Sequence, residues 1–468
     1  MPLILGTNSI KDTGYDVANS CRFNDASDDN LTRTFSAQTT RTKHSISFWC
    51  KRATFGHTQF LFEGIGDTYP TQIYFSSGDA LALYDAGENA SYVTTALFRD
   101  PSAWMHILCR IDTTQASNDN RVRFYVNGVL FATSKTNSIS QSTAVSIGKG
   151  GPHVIGKRGG SSDSFDGYLC EFIYVYNVSH EPTDFGEFDS DSGIWKPLDG
   201  LADSLTFGNN GFYLDFQDSS ALGNDVSGNN TDFTANNLTA VDQSSHTCTN
   251  NFATLNPLIY GANYSFSEGN LQFAQTATNW DTAYSSIGVT KGKWYMEFKG
   301  KVGAYYDVGV TDVIDPTNNL TVNSGCVAFK SNGEFARGGA VGDGLPSTIT
   351  SPASNTYTAD DIIGIALDVD NEAVYFSKNG AWEVSSDPES GASKTGAVTL
   401  PNSGSTYFFA FAAYKGSAAS GTGQVNFGGG SVDAISSGNA DADGHGNFEH
   451  APPSGYFALC TKNLAEYG

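Results

Sequence analysis

The chain has 468 residues, and its 51 glycines and 14 prolines interrupt regular structure often enough to exclude long helices and coiled coils. A hydrophobic fraction of 39% is sufficient for folded cores, which excludes disorder as the main state. Against 26 Lys and Arg residues stand 49 Asp and Glu residues, a net charge of −23, and this excludes the basic surface that nucleic acid requires.

The sequence also argues against insertion into a membrane. Its longest apolar run, residues 408–414, is far shorter than the roughly 20 residues that a helix needs to cross a bilayer. The first residues lack the basic region and the long apolar run of a secretory signal, so we expect a protein that is kept in a cytoplasm or released by lysis. The seven cysteines occur singly and are interpreted as reduced core residues.

Alternation of apolar and polar residues begins near residue 44 and predicts antiparallel strands. Ile46, Phe48 and Cys50 share one face of the first such run, and similar short runs follow as far as residue 176. Asn127 and Gly128 both tolerate a positive φ and predict a tight hairpin between two of these runs. We therefore predict a first β-sandwich over residues 1–185.

The next residues, 186–262, are rich in Asn, Asp, Ser and Gly with aromatic residues at intervals, which predicts an irregular connector pinned by its aromatic side chains. Alternation then returns, with hairpin signals at Asn332-Gly333 and Asn379-Gly380, and predicts a second sandwich over residues 263–468. The predicted fold class is all-β: two antiparallel, jelly-roll-like sandwiches joined by an irregular, aromatic-rich connector. The Gly-rich residues 428–447 predict a mobile loop.

Several segments resemble known families. Residues 47–52, 126–128 and 166–172 resemble the laminin-G-like or concanavalin-A-like jelly roll, and the resemblance extends over about residues 15–185. Residues 292–297, together with the run from Asp361 to the Asn379-Gly380 turn, resemble a SPRY domain.

The connector resembles virion structural proteins of tailed bacteriophages in residues 185–189, 211–216 and 250–257. This resemblance implies a tail fibre, a spike or a capsid-attached fibre that is assembled in the host cytoplasm and acts outside the cell as part of the virion. A purely structural adaptor or decoration protein is an alternative. It further implies a structural protein without enzymatic activity, whose partners are other virion proteins and a host-surface glycan or protein. We expect the chain to be a homo-oligomer.

One carboxylate pair raises the alternative of a polysaccharide hydrolase. Glu187 and Asp189 lie two residues apart, and on a strand such neighbours share a face at a separation that suits a retaining glycosidase. Concanavalin-A-like β-glucanases carry a further Glu three residues later, where this chain has Ser192, and the run ends as a turn. The sequence therefore favours an acidic surface segment over a catalytic pair.

Two acidic clusters are candidates for Ca²⁺, because carboxylate and amide oxygens in the rim loops of lectin-like sandwiches bind this ion. The first candidate site consists of Asn118, Asp119 and Asn120, and the second of Asp25, Asp28 and Asp29. Neither cluster has the spacing of an EF-hand, so chance clustering in an acidic chain remains the alternative.

Aromatic side chains near strand ends are the candidates for ligand contact, because rings stack on sugars while a few polar groups fix their orientation. The candidates in the second region are Trp280, Tyr284, Tyr305 and Tyr306, with Arg337 as a cation for an acidic sugar. The alternative is that Trp280 and Tyr284 fill the mouth of the sandwich, and that Arg337 pairs with a neighbouring carboxylate.

Overall fold

The computed structural model describes residues 12–66, 69–161, 163–302, 305–322, 324–338, 348–350 and 356–468. These residues form two compact units, and the boundary between them lies at Asn250 and Asn251. Both units consist of antiparallel sheets, which confirms the predicted all-β class. In the described residues, no helix has the length and apolar character needed to cross a membrane.

The first unit contains two eight-stranded sheets. Its strands are β1 (Ser20–Phe23), β2 (Asn30–Phe35), β3 (Lys43–Arg52), β4 (Gln59–Gly64), β5 (Thr71–Phe75), β6 (Ala80–Asp85), β7 (Ala90–Leu97), β8 (Met105–Asp112), β9 (Val122–Val126), β10 (Val129–Phe131), β11 (Thr133–Thr136), β12 (Gly151–Ile155), β13 (Gly167–Tyr176), β14 (Gly186–Phe188), β15 (Trp195–Pro197), β16 (Phe212–Leu214), β17 (Thr234–Asn236) and β18 (Gln243–Ser244). One sheet has the order β10-β9-β8-β3-β13-β1-β18, with β16 also paired to β13, and the other has the order β11-β7-β6-β5-β4-β12-β2-β17.

The core of the first unit is formed by the apolar positions that alternate along these strands. Ile46, Phe48 and Cys50 of β3 are fully buried in it, as their shared face predicted. The opposite face of β3 is buried as well, because Trp49 packs beneath Trp195 and its neighbours in a second apolar cluster. A further layer of chain therefore covers this sheet from outside.

That outer layer comes from the residues predicted to be a separate connector, 186–262, and the structure assigns them differently. Residues up to Asn250 belong to the first unit, where β16, β17 and β18 pair with β13, β2 and β1. Phe212 and Phe233 enter the main core of that unit. The aromatic side chains of residues 186–250 thus complete the first sandwich. The second unit begins at Asn251.

The second unit has a seven-stranded and a nine-stranded sheet. Its strands are β19 (Leu255–Tyr260), β20 (Tyr264–Ser267), β21 (Gln272–Gln275), β22 (Asp281–Val289), β23 (Lys293–Gly300), β24 (Tyr305–Thr311), β25 (Cys326–Lys330), β26 (Glu334–Arg337), β27 (Thr348–Thr350), β28 (Ile362–Asp368), β29 (Ala373–Lys378), β30 (Ala381–Trp382), β31 (Val398–Thr399), β32 (Tyr407–Tyr414), β33 (Gly421–Asn426) and β34 (Phe457–Ala458). The sheet orders are β19-β22-β32-β24-β25-β26-β27 and β20-β21-β33-β23-β28-β29-β30, with β31 beside β29 and the parallel strand β34 beside β23.

Trp294, Met296 and Phe298 of β23 enter the core between these sheets, and the alternate residues of β23 face outward.

Helix is confined to short segments of the described residues. The α-helices are α1 (Leu201–Ser204) in the first unit and α2 (Thr461–Tyr467) in the second, and the 3-10 segments are Asp25–Ser27, Asn118–Asn120, Pro182–Asp184, Ala240–Asp242, Leu320–Val322, Glu383–Ser385 and Pro388–Ser393.

Candidate ligand-binding sites

Two of the aromatic residues predicted to contact ligand lie together at one end of the seven-stranded sheet. Trp280 directly precedes β22, and Tyr305 begins β24. The strand between them, β32, ends at Tyr414, which lies opposite Tyr305 in the ladder. Three adjacent strands therefore place three rings side by side, and we call Trp280, Tyr414 and Tyr305 the aromatic row.

The rings of the aromatic row are in contact but are not enclosed. The centroids of Trp280 and Tyr414 are 5.7 Å apart with planes inclined by 29°, and those of Tyr414 and Tyr305 are 6.0 Å apart at 45°. Tyr305 is 57% exposed, and Trp280 and Tyr414 are half-buried. The row thus presents ring surface to solvent, as a platform for the apolar faces of a ligand would.

The other two predicted tyrosines lie inside the unit. Tyr284 and Tyr306 are each 1% exposed. The hydroxyl of Tyr306 donates to the carbonyls of Val302 and Thr422, and the hydroxyl of Tyr284 accepts from the main-chain N–H of Asp315. Burial raises the pKa of Tyr306 to about 12. Because successive residues of a strand face opposite sides, Tyr306 points into the core while Tyr305 is exposed.

Arg337, the predicted cation, is also buried, at 5% exposure. Its Nε donates to the carbonyl of Thr399 at 2.9 Å, and a terminal nitrogen lies 3.5 Å from the carbonyl of Leu400. The guanidinium therefore ties β26 to the end of β31 and does not join the aromatic row.

The first calcium candidate lies on a 3-10 turn, and its oxygens face basic side chains. Asp119 forms an ion pair with Lys135, whose Nζ also donates to the amide oxygen of Asn118. The amide oxygen of Asn120 accepts from Arg123 at 2.7 Å. Each of the three side chains is thus paired with a cation of the protein itself.

The carboxylates of Asp28 and Asp29 in the second calcium candidate also have partners within the protein. Asp28 pairs with Lys157 at 3.0 Å, and hydrogen bonds from Lys157 and Ser164 lower the pKa of its carboxyl group. Asp29 accepts from the main-chain N–H of Asn24 and from the hydroxyl of Ser27. Within the described residues, no group of three or more His, Cys, Asp or Glu side chains is placed to hold a metal ion.

Glu187 and Asp189 lie at a small hairpin of β14 and β15 and share one cation. Lys196 Nζ is 3.4 Å from Glu187 and 3.6 Å from Asp189. Asp189 also accepts from the main-chain N–H groups of Asp191 and Ser192, and these bonds, led by Ser192, lower the pKa of its carboxyl group. The hydrogen bonds place the Asp189 carboxylate in the turn that closes this hairpin.

A cleft of about 400 Å³ opens on the outer face of the nine-stranded sheet. Its floor includes Lys299, Gln424 and Asn426, and one wall is formed by Ser431, residues 433–436 and residues 449–450. We call it the sheet cleft. The sequence did not predict it, because its floor joins strands far apart in the chain and its wall comes from the Gly-rich tail that was predicted to be a mobile loop.

Glu297 fixes that wall from beneath. Its carboxylate accepts from the main-chain N–H groups of Glu449 and His450, at 2.9 and 2.7 Å, and from the hydroxyl of Tyr295. The side chain is buried at 4% exposure, and burial raises the pKa of its carboxyl group to about 7. All these bonds are internal, so Glu297 acts as an anchor for the tail.

Comparison with known proteins gives a partial match. Residues 25–183, about a third of the chain, match the profile of the concanavalin A-like lectin/glucanases superfamily. The first unit thus contains a region similar to that superfamily, in agreement with the resemblance drawn from residues 47–52, 126–128 and 166–172. No curated protein matches the chain.

Solved structures show only low overall similarity. The SPRY domain of human HERC1 is 15% identical, with 38% of this chain and 99% of that domain covered, at a TM-score of 0.27. A putative carbohydrate binding protein from Bacteroides ovatus ATCC 8483 is 16% identical, with 48% of this chain and 60% of that chain covered, at a TM-score of 0.33. A pentraxin from Limulus polyphemus is 17% identical, with 34% and 77% covered, at 0.26. Values this low support no argument about function.

Proposed function

We propose that this chain is a glycan-binding protein without enzymatic activity, and that the aromatic row is its sugar contact. The observation that carries the proposal is the presence of three contacting rings, partly open to solvent, on three adjacent strands. Sugars present CH faces that stack on such rings. The match of residues 25–183 to a superfamily of lectins and glucanases supports a carbohydrate ligand for the chain, although these residues belong to the first unit and the aromatic row belongs to the second.

The binding proposal is tested with fluorescently labelled full-length protein on bacterial cells, with purified cell-surface polysaccharide as the competitor. Trp280→Ala and Tyr305→Ala are expected to lose binding. Phe188→Ala is the control, because Phe188 is 53% exposed, close to the 57% of Tyr305, and lies in the first unit outside the matched residues 25–183. Equal binding by all four proteins, or binding that polysaccharide does not displace, would reject the aromatic row as the glycan contact.

We further propose that the chain is a surface component of a tailed-bacteriophage virion. The support is the sequence resemblance of residues 185–189, 211–216 and 250–257, and a multivalent particle would gain avidity from weak single contacts. Immunogold labelling of intact particles tests this role. Label at the tail is expected for host attachment and label over the head for decoration, whereas antigen found only in the lysate supernatant would contradict the virion role.

Two alternatives predict different results. A polysaccharide hydrolase would release reducing ends, and Glu187→Ala or Asp189→Ala would abolish that release. The pairing of both carboxylates with Lys196, and the main-chain hydrogen bonds that hold Asp189 in a turn, favour a structural role for this pair instead. A structural virion adaptor would label on particles, bind another virion chain and bind no glycan.

A further inference from the structure

Two cysteine thiols are in contact within the first unit. The Sγ atoms of Cys170, on β13, and Cys248, which follows β18, lie 3.8 Å apart. All seven cysteines of the chain fall within the described residues, and all are reduced there. Cys170 is buried and Cys248 is half-buried, so one member of the pair has access to solvent.

The segment that carries Cys248 is held against the sheet by neighbouring hydrogen bonds. The main-chain N–H of Val17 donates to the hydroxyl of Thr249 at 3.0 Å, and the hydroxyl of Ser20 donates to the carbonyl of His246 at 2.7 Å. These bonds lie on both sides of Cys248, so the two sulfurs are kept near each other. A disulfide requires sulfurs about 2 Å apart, a change that rotation of the two side chains can supply.

We propose that Cys170 and Cys248 are an oxidation site that closes to a disulfide when the protein meets a low-molecular-weight disulfide such as oxidised glutathione. The thiolate of Cys248 attacks one glutathione sulfur, the S–S bond of glutathione breaks, and one reduced glutathione leaves. The thiolate of Cys170 then attacks the Cys248 sulfur, and a second reduced glutathione leaves. The two protein thiols together lose two electrons, and these reduce one molecule of oxidised glutathione. The two protons released by the protein thiols are taken up by the two glutathione thiolates.

The location of the pair gives the bond a structural consequence. Cys170 belongs to the central strand β13, whereas Cys248 ends the outer layer that packs over the same sheet through Trp195. The bond would close a loop of 78 residues that contains most of that layer. Cross-links over loops of this length stabilise a fold because they restrict the unfolded chain.

The same location makes the reaction slow at neutral pH. Burial raises the pKa of the Cys248 thiol well above its usual value, and hydrogen bonding with Cys170 adds to the rise. Since the thiolate is the attacking species, oxidation should become faster as the pH increases. The geometry, rather than a lowered pKa, is what selects this pair.

The test uses full-length protein incubated with oxidised or reduced glutathione at mildly alkaline pH, then denatured and alkylated. We expect two fewer alkylated thiols than the seven of the reduced protein, and, after digestion with a protease that cleaves at acidic residues, a peptide pair that joins Cys170 to Cys248 and is lost on reduction. The melting temperature of the oxidised protein should rise by roughly 5–10 °C, the shift expected for a long-loop cross-link in a unit of this size.

Two variants complete the test. Cys248→Ser should keep all its remaining thiols under oxidation and show no shift in melting temperature. Cys326→Ala, which removes a buried thiol of the second unit, should still form the cross-link. Seven alkylated thiols after oxidation of the wild-type protein, or a cross-link between other cysteines, would overturn the proposal whether or not a variant folds.

Discussion

The indole ring of Trp280 stacks on the phenol ring of Tyr414, with the centroids 5.7 Å apart. Tyr414 in turn contacts Tyr305, so the central ring of the aromatic row touches both outer rings. Removal of this ring would take one packing contact from each outer ring, while Trp280 would keep its contact with a buried apolar cluster. Substitutions of Tyr414 can therefore distinguish a contribution of its ring to binding from a contribution of its hydroxyl group.

We predict that Tyr414→Phe binds cells as the wild-type protein does, while Tyr414→Ala loses roughly threefold to tenfold in affinity, the range of one or two aromatic contacts. The measurement is the cell-binding titration of the full-length chain. A loss in Tyr414→Phe as large as that in Tyr414→Ala would show that the hydroxyl, rather than the ring, makes the contribution.

Two of the three residues of the aromatic row could be predicted from the sequence, and Tyr414 could not. Alternation identified the strands and their buried faces, and Trp280 and Tyr305 were recognised because they lie near strand ends. Tyr414 was missed, because its place beside Tyr305 depends on the pairing of β24 with β32 across a long stretch of chain. No local pattern contains that register.

Turns were predictable for the opposite reason, since their geometry is local. Asn127 and Gly128 have φ values of 48° and 76°, and Asn379 and Gly380 have values of 49° and 80°, as the Asn-Gly signals predicted.

The outer layer of the first unit was not predictable, because its polar composition is that of a linker. Its aromatic side chains find their partners only in the folded sheet, as Trp195 does by stacking on His106 with the ring centroids 5.8 Å apart.

The contact of Trp195 with the hairpin gives a second prediction. A Cβ added to Gly128 would lie 2.4 Å from the Trp195 ring, in a turn where φ is +76°. Gly128→Ala should therefore lower the free energy of unfolding by roughly 2–4 kcal/mol, from backbone strain and displacement of the ring together.

Gly56→Ala is the matched control for that substitution, because Gly56 has a φ of +79° and no atom within 4 Å of an added Cβ. Its cost should be the backbone part alone, about 1 kcal/mol. Chemical denaturation of both variants measures the difference. Equal losses would mean that Trp195 does not press on the hairpin.

A third prediction concerns Asp79, which binds one buried and one exposed arginine. Arg52 is fully buried between the rings of Phe55 and Phe75 and contacts Asp79 at 3.1 Å. The side chain of Arg99 is 57% exposed and contacts the same carboxylate at 2.7 Å. Removal of Arg52 leaves the buried Asp79 carboxylate and the Phe98 carbonyl without their buried donor. Arg99 keeps much of its side chain in water, which screens its attraction to the same carboxylate.

We expect Arg52→Met to cost about 3 kcal/mol in the free energy of unfolding and Arg99→Met less than about 1 kcal/mol. Urea denaturation at equal ionic strength gives both values. Similar costs for the two variants would contradict the difference in burial as the cause.

A fourth prediction follows from the pKa of Glu297, which burial raises from its usual 4.5 to about 7. Below pH 4.5 the carboxyl group is protonated in both the folded and the unfolded chain. Between pH 4.5 and about 7 the unfolded chain releases the proton first, so stability falls as the pH rises through this window. The loss attributable to Glu297 is at most roughly 3 kcal/mol.

Glu297→Gln has no proton to release, so its free energy of unfolding should fall less over that pH window than that of the wild-type protein. The amide loses an acceptor for one main-chain N–H and should be less stable at low pH. Thermal or urea unfolding at a series of pH values measures the difference between the two proteins. A difference that does not change with pH would show that Glu297 keeps an ordinary pKa.

The most direct measurement of the central claim is calorimetric titration of the full-length protein with purified surface polysaccharide from cells that it binds. The wild-type protein and Phe188→Ala should bind with the same affinity, while a variant that combines Trp280→Ala with Tyr305→Ala should give no measurable heat. No reducing ends should appear in any sample. Wild-type affinity in the double variant, or release of reducing ends by the wild-type protein, would contradict glycan binding by the aromatic row of a protein without enzymatic activity.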